Sequence, residues 1–222
     1  MRAAGGNRIL PGRSGTAVAR SAFTAQTLRL PLLGLLSLAL AGCATPRGVG
    51  LPELPDWEAR RDTLAGISEW EFRGRIGVSA GEEGFNGKLR WWQHDDIFLA
   101  SVSGPLGVGT VRIEGDERQV SVTDEDGKVT EMQDAEAELY RKYGWTIPVT
   151  SLRYWALGIP DPSSPAETEF GAEGRLTRLE QRDWVVRIDE YREDGGQPMP
   201  RRVSATNRDT RVRLVIDNWT FY

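Results

Sequence analysis

The amino-acid sequence predicts a mainly β protein, an antiparallel sheet or barrel of about ten strands with two or three short helices. From Trp70 onward, apolar and polar side chains alternate with a period of two over most of the chain, which is typical of half-buried strands. Short turns rich in Gly and Asp separate these strands, and such turns join antiparallel neighbours. The helical segments are too few to alternate with the strands, so the pattern does not indicate a parallel α/β fold.

The first 43 residues are organised like a bacterial lipoprotein signal peptide. Residues 1–29 carry five arginines and no acidic residue, and residues 30–41 are almost wholly apolar. A basic region before an apolar one is typical of a secretory signal, and about twelve apolar residues are too few for a membrane-spanning helix, which needs roughly 20. The segment ends in Leu40-Ala41-Gly42-Cys43, a lipobox. We therefore predict a signal peptide over 1–42 and a lipid anchor on Cys43, the only cysteine.

Cleavage before Cys43 changes the size and charge of the chain. The mature protein has 180 residues, enough for one domain, with 23 basic and 32 acidic side chains. Such an acidic chain is a poor nucleic-acid binder, and its net charge also argues against adhesion to anionic lipid. With the cysteine lipidated no disulfide forms. Residues 43–55, rich in Pro and Gly, predict a lipidated flexible tether, and residues 56–222 a single domain.

The strands and one helix of the first half of the domain follow from local patterns. Asp56 is a suitable N-cap for a short helix that contains Trp57. Beyond it, alternation and turn residues predict strands at 70–80, 85–91, 97–103, 108–114, 120–122 and 129–132.

Two further helices interrupt the strands before the pattern resumes. Residues 134–143 are good helix formers followed by Gly144, and residues 150–157 are followed by Gly158, each glycine at the position where helices commonly end. A loop is predicted over 159–166. The remaining strands are predicted at 175–181, 183–191, 201–206 and 210–222.

Features that look like chemical motifs have simpler structural explanations. The glycine-rich segment 104–109 lacks the lysine and the following helix that a phosphate loop needs, so we predict a hairpin connection. Residues 124–127 lack the distal glutamate of a calcium loop and predict a turn. His94 is the only histidine, and the chain has neither a nucleophile elbow nor a His/Cys cluster. The sequence therefore predicts no enzyme, no cofactor and no metal site.

Several segments, in this order and spacing, carry a resemblance to a known family. They are the lipobox, Trp57, Phe72-Arg73-Gly74-Arg75, Leu89-Arg90-Trp91-Trp92-Gln93, residues 98–107 (FLASVSGPLG), residues 151–160 (SLRYWALGIP), residues 198–200 and Asp217-Asn218-Trp219. Over essentially the whole mature chain, the sequence resembles the outer-membrane lipoprotein receptor family LolB.

The resemblance implies a fold, a function and a location. The fold is an incomplete antiparallel barrel of about eleven strands around an apolar cavity, covered by helices. The function is to receive acylated lipoproteins from a LolA-like periplasmic carrier and to insert them into the inner leaflet of the outer membrane, without a nucleotide. The protein is expected to act as a monomer, lipid-anchored on the periplasmic face of the outer membrane. Ala44, which follows the lipidated cysteine, agrees with that location.

Acyl chains gain about 0.8 kcal/mol for each buried CH₂ group, so such a receptor needs a large apolar surface inside its sheet. The apolar strand positions are the candidates for the lining of this cavity: Ile76, Val78, Leu89, Trp91, Phe98, Ala100, Val111 and Ile113. The alternative is that these side chains form an ordinary filled core, and the sequence does not distinguish the two.

The segment Pro105-Leu106-Gly107 is the candidate for contact with the membrane. From the residues alone, Leu106 lies near the tip of a hairpin connection and either folds back onto the sheet or points into solvent. In the family that the chain resembles, the leucine of this loop protrudes and is implicated in delivery of the cargo. The resemblance therefore implies that Leu106 inserts into the inner leaflet.

Two other functions remain open from the sequence. The same sheet suits a structural lipoprotein that scaffolds an envelope assembly complex. An envelope hydrolase would need a polar reactive cleft, for which the sequence gives no pattern.

Overall fold

Eleven antiparallel strands form one open sheet in the computed structural model, which describes residues 48–104, 109–116, 118–143 and 146–222. The order of the strands is β6-β5-β4-β3-β2-β1-β11-β10-β9-β8-β7, so β6 and β7 lie at the two edges. The predicted class, an incomplete antiparallel barrel of ten to eleven strands with a few helices, is confirmed. The strands are β1 (Glu69–Ala80), β2 (Glu83–His94), β3 (Ile97–Ser103), β4 (Thr110–Gly115), β5 (Val120–Thr123), β6 (Val129–Met132), β7 (Glu167–Phe170), β8 (Leu176–Gln181), β9 (Trp184–Asp194), β10 (Gln197–Thr206) and β11 (Arg211–Phe221).

Three helices are present in the described part of the chain: α1 (Trp57–Ala65), α2 (Ala135–Tyr143) and α3 (Val149–Leu157). Asp56 caps α1 as predicted, accepting a hydrogen bond from the backbone N–H of Ala59 at 2.8 Å. The ring of Trp57 packs edge-on against Phe170 of the edge strand β7, at 4.9 Å between ring centroids. None of the described helices is long and apolar enough to cross a membrane.

The sheet has one apolar, buried face, which we call the inner face, and one polar face, the outer face. In β1, for example, Phe72, Ile76 and Val78 are buried, whereas Arg73 and Arg75 are exposed. The registers of neighbouring strands keep this alternation aligned, with Phe72 opposite Trp91 on β2. Because strand residues point alternately to the two faces, one aligned pattern produces a continuous apolar surface.

Two strands differ from the prediction. The edge strand β7 was not predicted, because its residues are mostly exposed and show no apolar alternation. The predicted strand at 201–206 begins earlier, since β10 includes Pro198 and Pro200. Proline lacks the N–H that a central strand needs, but residues 197–200 pair only with β9, and pairing with β11 begins at Arg202.

Residues 48–52, part of the predicted tether, are bound to the domain. The N–H of Val49 donates to the carbonyl of Phe221 at 2.6 Å, and the N–H of Leu51 to that of Gly195 at 2.7 Å. The side-chain amide of Gln197 donates to the carbonyl of Pro52 at 2.8 Å. This segment therefore lies where β11 ends and where β9 turns into β10.

Candidate functional site

A row of aromatic rings crosses four adjacent strands of the inner face, near the end at which β11 ends. The centroid distances are 5.1 Å between Phe98 and Trp91, 6.2 Å between Trp91 and Phe72, and 5.1 Å between Phe72 and Trp219. Trp219 in turn stacks on Phe221 at 5.8 Å. These rings bring together β3, β2, β1 and β11, and aromatic pairs at such distances add stability beyond their burial.

Helix α3 covers part of the inner face and is buried on nearly all sides. Trp155 and Ala156 are fully buried and belong to the same hydrophobic cluster as the inner-face residues. The indole of Trp155 lies 6.0 Å from that of Trp184 on β9. The helix ends at Gly158, which has a left-handed backbone with φ of 79°. Its N–H completes the helix by donating to the carbonyls of Tyr154 and Trp155.

All eight predicted lining positions lie on the inner face, on four adjacent strands. Six of them are at most 5% exposed: Ile76, Val78, Leu89, Trp91, Phe98 and Ala100. Val111 and Ile113, both on β4, are half-buried. The six buried positions belong to the packed core.

The exposed part of the inner face lies on β3, β4 and β5. Val102, Val111, Ile113 and Val122 are half-buried, and we call these four residues the apolar strip. Val102 is paired with Val111, and Ile113 with Val122, so the four side chains form a continuous patch. The patch begins next to the connection between β3 and β4. The strip is a partly accessible apolar surface of the inner face, and Val102, Ile113 and Val122 also pack against the core.

A buried polar network, which the sequence patterns did not indicate, attaches α3 to the end of β8. The side chain of Gln181, 3% exposed, accepts hydrogen bonds from Trp155 Nε1 at 3.0 Å and from the N–H of Asp161 at 2.9 Å. Its amide nitrogen donates to the carbonyls of Asp161 and Ser164. Ser151 donates to Asp161 Oδ2 at 2.6 Å. The sequence offers one signal from which such a network could have been inferred. Gln181 is a polar residue at an inner-face strand position.

Arg182 connects this network to α2. Its guanidinium donates to the hydroxyl of Ser151 at 3.0 Å and lies 3.7 Å from Glu136 Oε2 on α2. Burial raises the pKa of Glu136, although the charge of Arg182 partly opposes that shift. The pKa of Asp161 is lowered: burial alone would raise it, and hydrogen bonds from Ser151 and Ser163 outweigh the burial.

The groove between α2, α3 and β5 has a volume of about 610 Å³, and charged and apolar side chains both line it. Asp116, Arg118, Asp134, Glu136 and Arg182 are among its lining residues. Its charged walls make it unsuitable for an acyl chain, because burying charges against hydrocarbon is costly. The apolar strip is the better candidate on this side of the sheet.

His94 has an ordinary structural environment. Its ring stacks on Trp92 at 5.7 Å, and its Nδ1 lies 3.6 Å from a carboxylate oxygen of Glu69. Across the ranges that the structure describes, no group of three or more His, Cys, Asp or Glu side chains could hold a metal ion.

The predicted lipid anchor and membrane loop lie outside the described residues: Cys43, Pro105, Leu106 and Gly107. The positions on either side of the loop are described. The N–H of Gly104 faces the carbonyl of Gly109 at 3.4 Å, so the two ends of the loop are close together. The β5–β6 turn is adjacent, since a Cβ at Gly109 would lie 2.7 Å from Glu125 Oε2.

Comparison with known proteins identifies the family. The family model described as "Outer membrane lipoprotein LolB" matches residues 68–219. The outer-membrane lipoprotein LolB of Cellvibrio japonicus is 32% identical over 196 residues, which cover 86% of this chain and 96% of that protein. The corresponding protein of Stutzerimonas stutzeri is 35% identical over 188 residues, covering 83% and 91%.

Among solved structures, a LolA superfamily protein from Nitrosomonas europaea has the same fold. It matches with a TM-score of 0.50 at 7% identity, over 74% of this chain and 93% of that one. The predicted resemblance and location are confirmed, and the chain belongs to the outer-membrane lipoprotein LolB family.

Proposed function

We propose that this protein receives acylated lipoproteins from a LolA-like periplasmic carrier on its apolar inner face and releases them into the inner leaflet of the outer membrane. The observation that carries the proposal is the apolar strip, a half-buried aliphatic surface on a sheet whose inner face is mostly buried. Acyl chains that contact this strip lose their exposure to water, and each buried CH₂ group contributes about 0.8 kcal/mol.

The strip suits the first contact with cargo. Acyl chains that lie along Val111 and Ile113 point toward the buried positions Ala100 and Leu89 on the neighbouring strands. Deeper binding requires α3 to move from the inner face. Movement of that helix breaks the hydrogen bonds of Gln181 and Arg182, so cargo has to offset their loss.

In the proposal, the cargo is delivered from the end of the strip that adjoins the β3–β4 connection. Val102 and Val111 adjoin the connection that contains Leu106, so the cargo surface and the membrane loop are neighbours in sequence. In the proposal, Leu106 enters the inner leaflet, and the acyl chains pass from the strip into the same leaflet. Cys43 carries the lipid that keeps the domain at this membrane, which raises its local concentration there.

A transfer assay tests the proposal. A LolA-like carrier loaded with labelled lipoprotein is incubated with the domain that starts after Cys43, and the label on each protein is then measured. We expect the label to move to the domain, and to enter vesicles when these are added. If the label stays on the carrier while the domain forms a stoichiometric complex with another envelope protein, the scaffold alternative replaces this proposal.

A further inference from the structure

The outer face of β9, β10 and β11 carries a cluster of arginines, although the chain as a whole is acidic. Arg187, Arg202, Arg211 and Arg213 line one shallow groove of about 590 Å³ on this face. Register places them side by side, since Ser204 of β10 lies between Arg213 and Arg187 on the neighbouring strands. We call these four residues the basic patch. All four are exposed.

Little negative charge compensates the patch. Arg202 lies 3.0 Å from Glu190, whereas no carboxylate of the described chain lies within 4 Å of Arg187, Arg211 or Arg213. Asp189 is the one acidic residue in the lining of the groove. The outer face of these three strands is therefore locally cationic, although the net charge of the chain is negative.

The tether limits how far one end of these strands lies from the membrane. Residues 48–52 are bound where β11 ends and where β9 turns into β10. Whatever their conformation, the five residues from Cys43 to Gly48 extend at most about 18 Å. This end of the three strands is thus held close to the membrane that contains the lipid of Cys43.

The membrane loop lies at the opposite end of the sheet. The registers place Ser103, where the β3–β4 connection begins, level with Val215 of β11, and Phe221 ends β11 at the tether. Six residues of extended strand separate these two levels by about 20 Å. The tether and the loop therefore reach one membrane together when the strands lie along its surface.

Charge selects which side faces the membrane. Acidic residues flank the β3–β4 connection, with Glu82 and Glu83 on the β1–β2 turn and Asp124, Glu125 and Asp126 on the β5–β6 turn. An upright approach on this end would bring these carboxylates to the headgroups. The basic patch belongs to the three strands that end at the tether, and guanidinium groups bind phosphate well.

We propose that the basic patch binds the anionic phospholipid headgroups of the membrane in which the protein is anchored, so that the domain lies on the outer face of β9–β11. This inference rests on the lipid anchor at Cys43 and on the membrane loop, both assigned under the proposed function, but it does not involve the cargo surface. It also revises the expectation from net charge, because charge segregation leaves one face suited to anionic lipid.

A single label measures the distance of this face from the membrane. The processed protein, lipidated at Cys43, has no free thiol, so Ser204→Cys supplies the only attachment site for a spin label. The protein is placed in vesicles of phosphatidylethanolamine alone or with about one-quarter phosphatidylglycerol, and access of a water-soluble relaxation agent is measured. A label at Ser121→Cys, on the outer face of β5, is the reference position.

We expect the label at position 204 to be protected several-fold in the anionic vesicles only, and the reference label to stay accessible. Raising the salt concentration from about 0.1 M to 1 M shortens the Debye length from about 10 Å to 3 Å and should remove the protection. The triple variant Arg187→Gln, Arg211→Gln, Arg213→Gln should also lose it. Arg61→Gln, Arg118→Gln, Arg141→Gln removes the same charge elsewhere and should retain it.

Protection that is equal in neutral vesicles, or that survives the triple substitution, would overturn the inference. So would a triple variant that keeps its protection but no longer accepts cargo from the carrier, because the patch would then bind a protein. A protein that fails to attach to any vesicle contradicts the anchor at Cys43 instead. Failure of cargo transfer with normal protection contradicts only the proposed function.

Discussion

Trp155 donates its indole N–H to Gln181 Oε1 at 3.0 Å, which fixes the last turn of α3 to the end of strand β8. Both side chains are buried, at 0% and 3% exposure. The same oxygen accepts the N–H of Asp161, so one amide group holds both the helix and the loop after it. The cover of the inner face therefore depends on a polar contact as well as on apolar packing.

Replacing Gln181 with Leu should lower the free energy of unfolding by about 2–4 kcal/mol, because two buried N–H groups lose their acceptor. Urea unfolding followed by tryptophan fluorescence measures the loss. Gln119→Leu, at an exposed position on the β4–β5 connection, is the matched control and should change stability by less than about 0.5 kcal/mol. Equal effects of the two substitutions would show that the network contributes nothing specific.

Gly158→Ala should destabilise the protein more than Gly174→Ala does. Both glycines have left-handed backbones, with φ of 79° and 69°, so each substitution carries a strain of about 1–2 kcal/mol. A Cβ at Gly158 would also lie 2.9 Å from Pro200 Cγ and 3.2 Å from Tyr191 Oη, whereas one at Gly174 meets no atom within 4 Å. The clash should add about 1–3 kcal/mol at Gly158 alone. Thermal or urea unfolding of the pair checks this, and equal losses would contradict it.

The charge of Glu136 should make stability depend on pH. Burial raises its pKa above the ordinary value of 4.5, so the folded state binds more protons than the unfolded state between that value and the raised one. The contribution of Glu136 to the free energy of unfolding is therefore fully present below pH 4.5, and it declines as the pH rises through the raised pKa.

Glu136→Gln should abolish that decline. The difference in the free energy of unfolding, variant minus unmodified protein, should therefore be larger at pH 7 than at pH 4. Urea unfolding at a series of pH values gives the difference. Glu138→Gln, on the same helix and paired with Arg141, is the control for loss of a charge. An unchanged difference between pH 4 and pH 7 would contradict the assignment.

Val111→Lys should reduce acceptance of cargo several-fold, because an ammonium group in the apolar strip opposes contact with acyl chains. Thr110→Lys is the matched control, since it adds the same charge to the adjacent, outer-face position of β4. Transfer of labelled lipoprotein from the carrier is the measurement. If both variants accept cargo equally, the strip is not the cargo surface.

Leu106→Glu should leave cargo acceptance unchanged and abolish incorporation of the cargo into vesicles, because a carboxylate resists entry into the leaflet. Leu106→Met keeps an apolar side chain and should incorporate normally. The readout is the amount of label in the vesicle fraction relative to the label on the protein. Normal incorporation by the glutamate variant would remove Leu106 from the mechanism.

Much of the fold could be predicted from the sequence, because one buried face imposes strict alternation. Trp91, Ala100 and Ile113 were predicted to lie on one surface from their apolar strand positions, and the strand registers place them side by side. Strand β7 was missed because an exposed edge strand needs no apolar period. The start of β10 was missed because its prolines are tolerated only where the strand does not pair with β11. The extent of that pairing is known only from the tertiary structure.

The site was less predictable than the fold. Alternation identifies which residues face inward, but not which of them the rest of the fold buries, so the difference between Ala100 and Val111 appears only in three dimensions. The partners of Gln181 come from residues 155, 161 and 164, which no local pattern links to it. The clustering of arginines on the outer face of β9–β11 could not be predicted from the sequence for a similar reason. Arg187 and Arg213 become neighbours only because β10 lies between their strands.

The inner face includes two surfaces with different side chains, the row of aromatic rings from Phe98 to Phe221 and the aliphatic apolar strip. Rings such as Phe72, Trp91 and Trp219 are stiff, and each is fixed by the ring beside it. The valines and the isoleucine of the strip have no stacked partner, although their β-branched side chains are themselves stiff. If the strip is the cargo surface, as proposed above, the first contact with acyl chains leaves the row of aromatic rings unchanged. Rearrangement is then confined to the later step, in which α3 moves from the inner face.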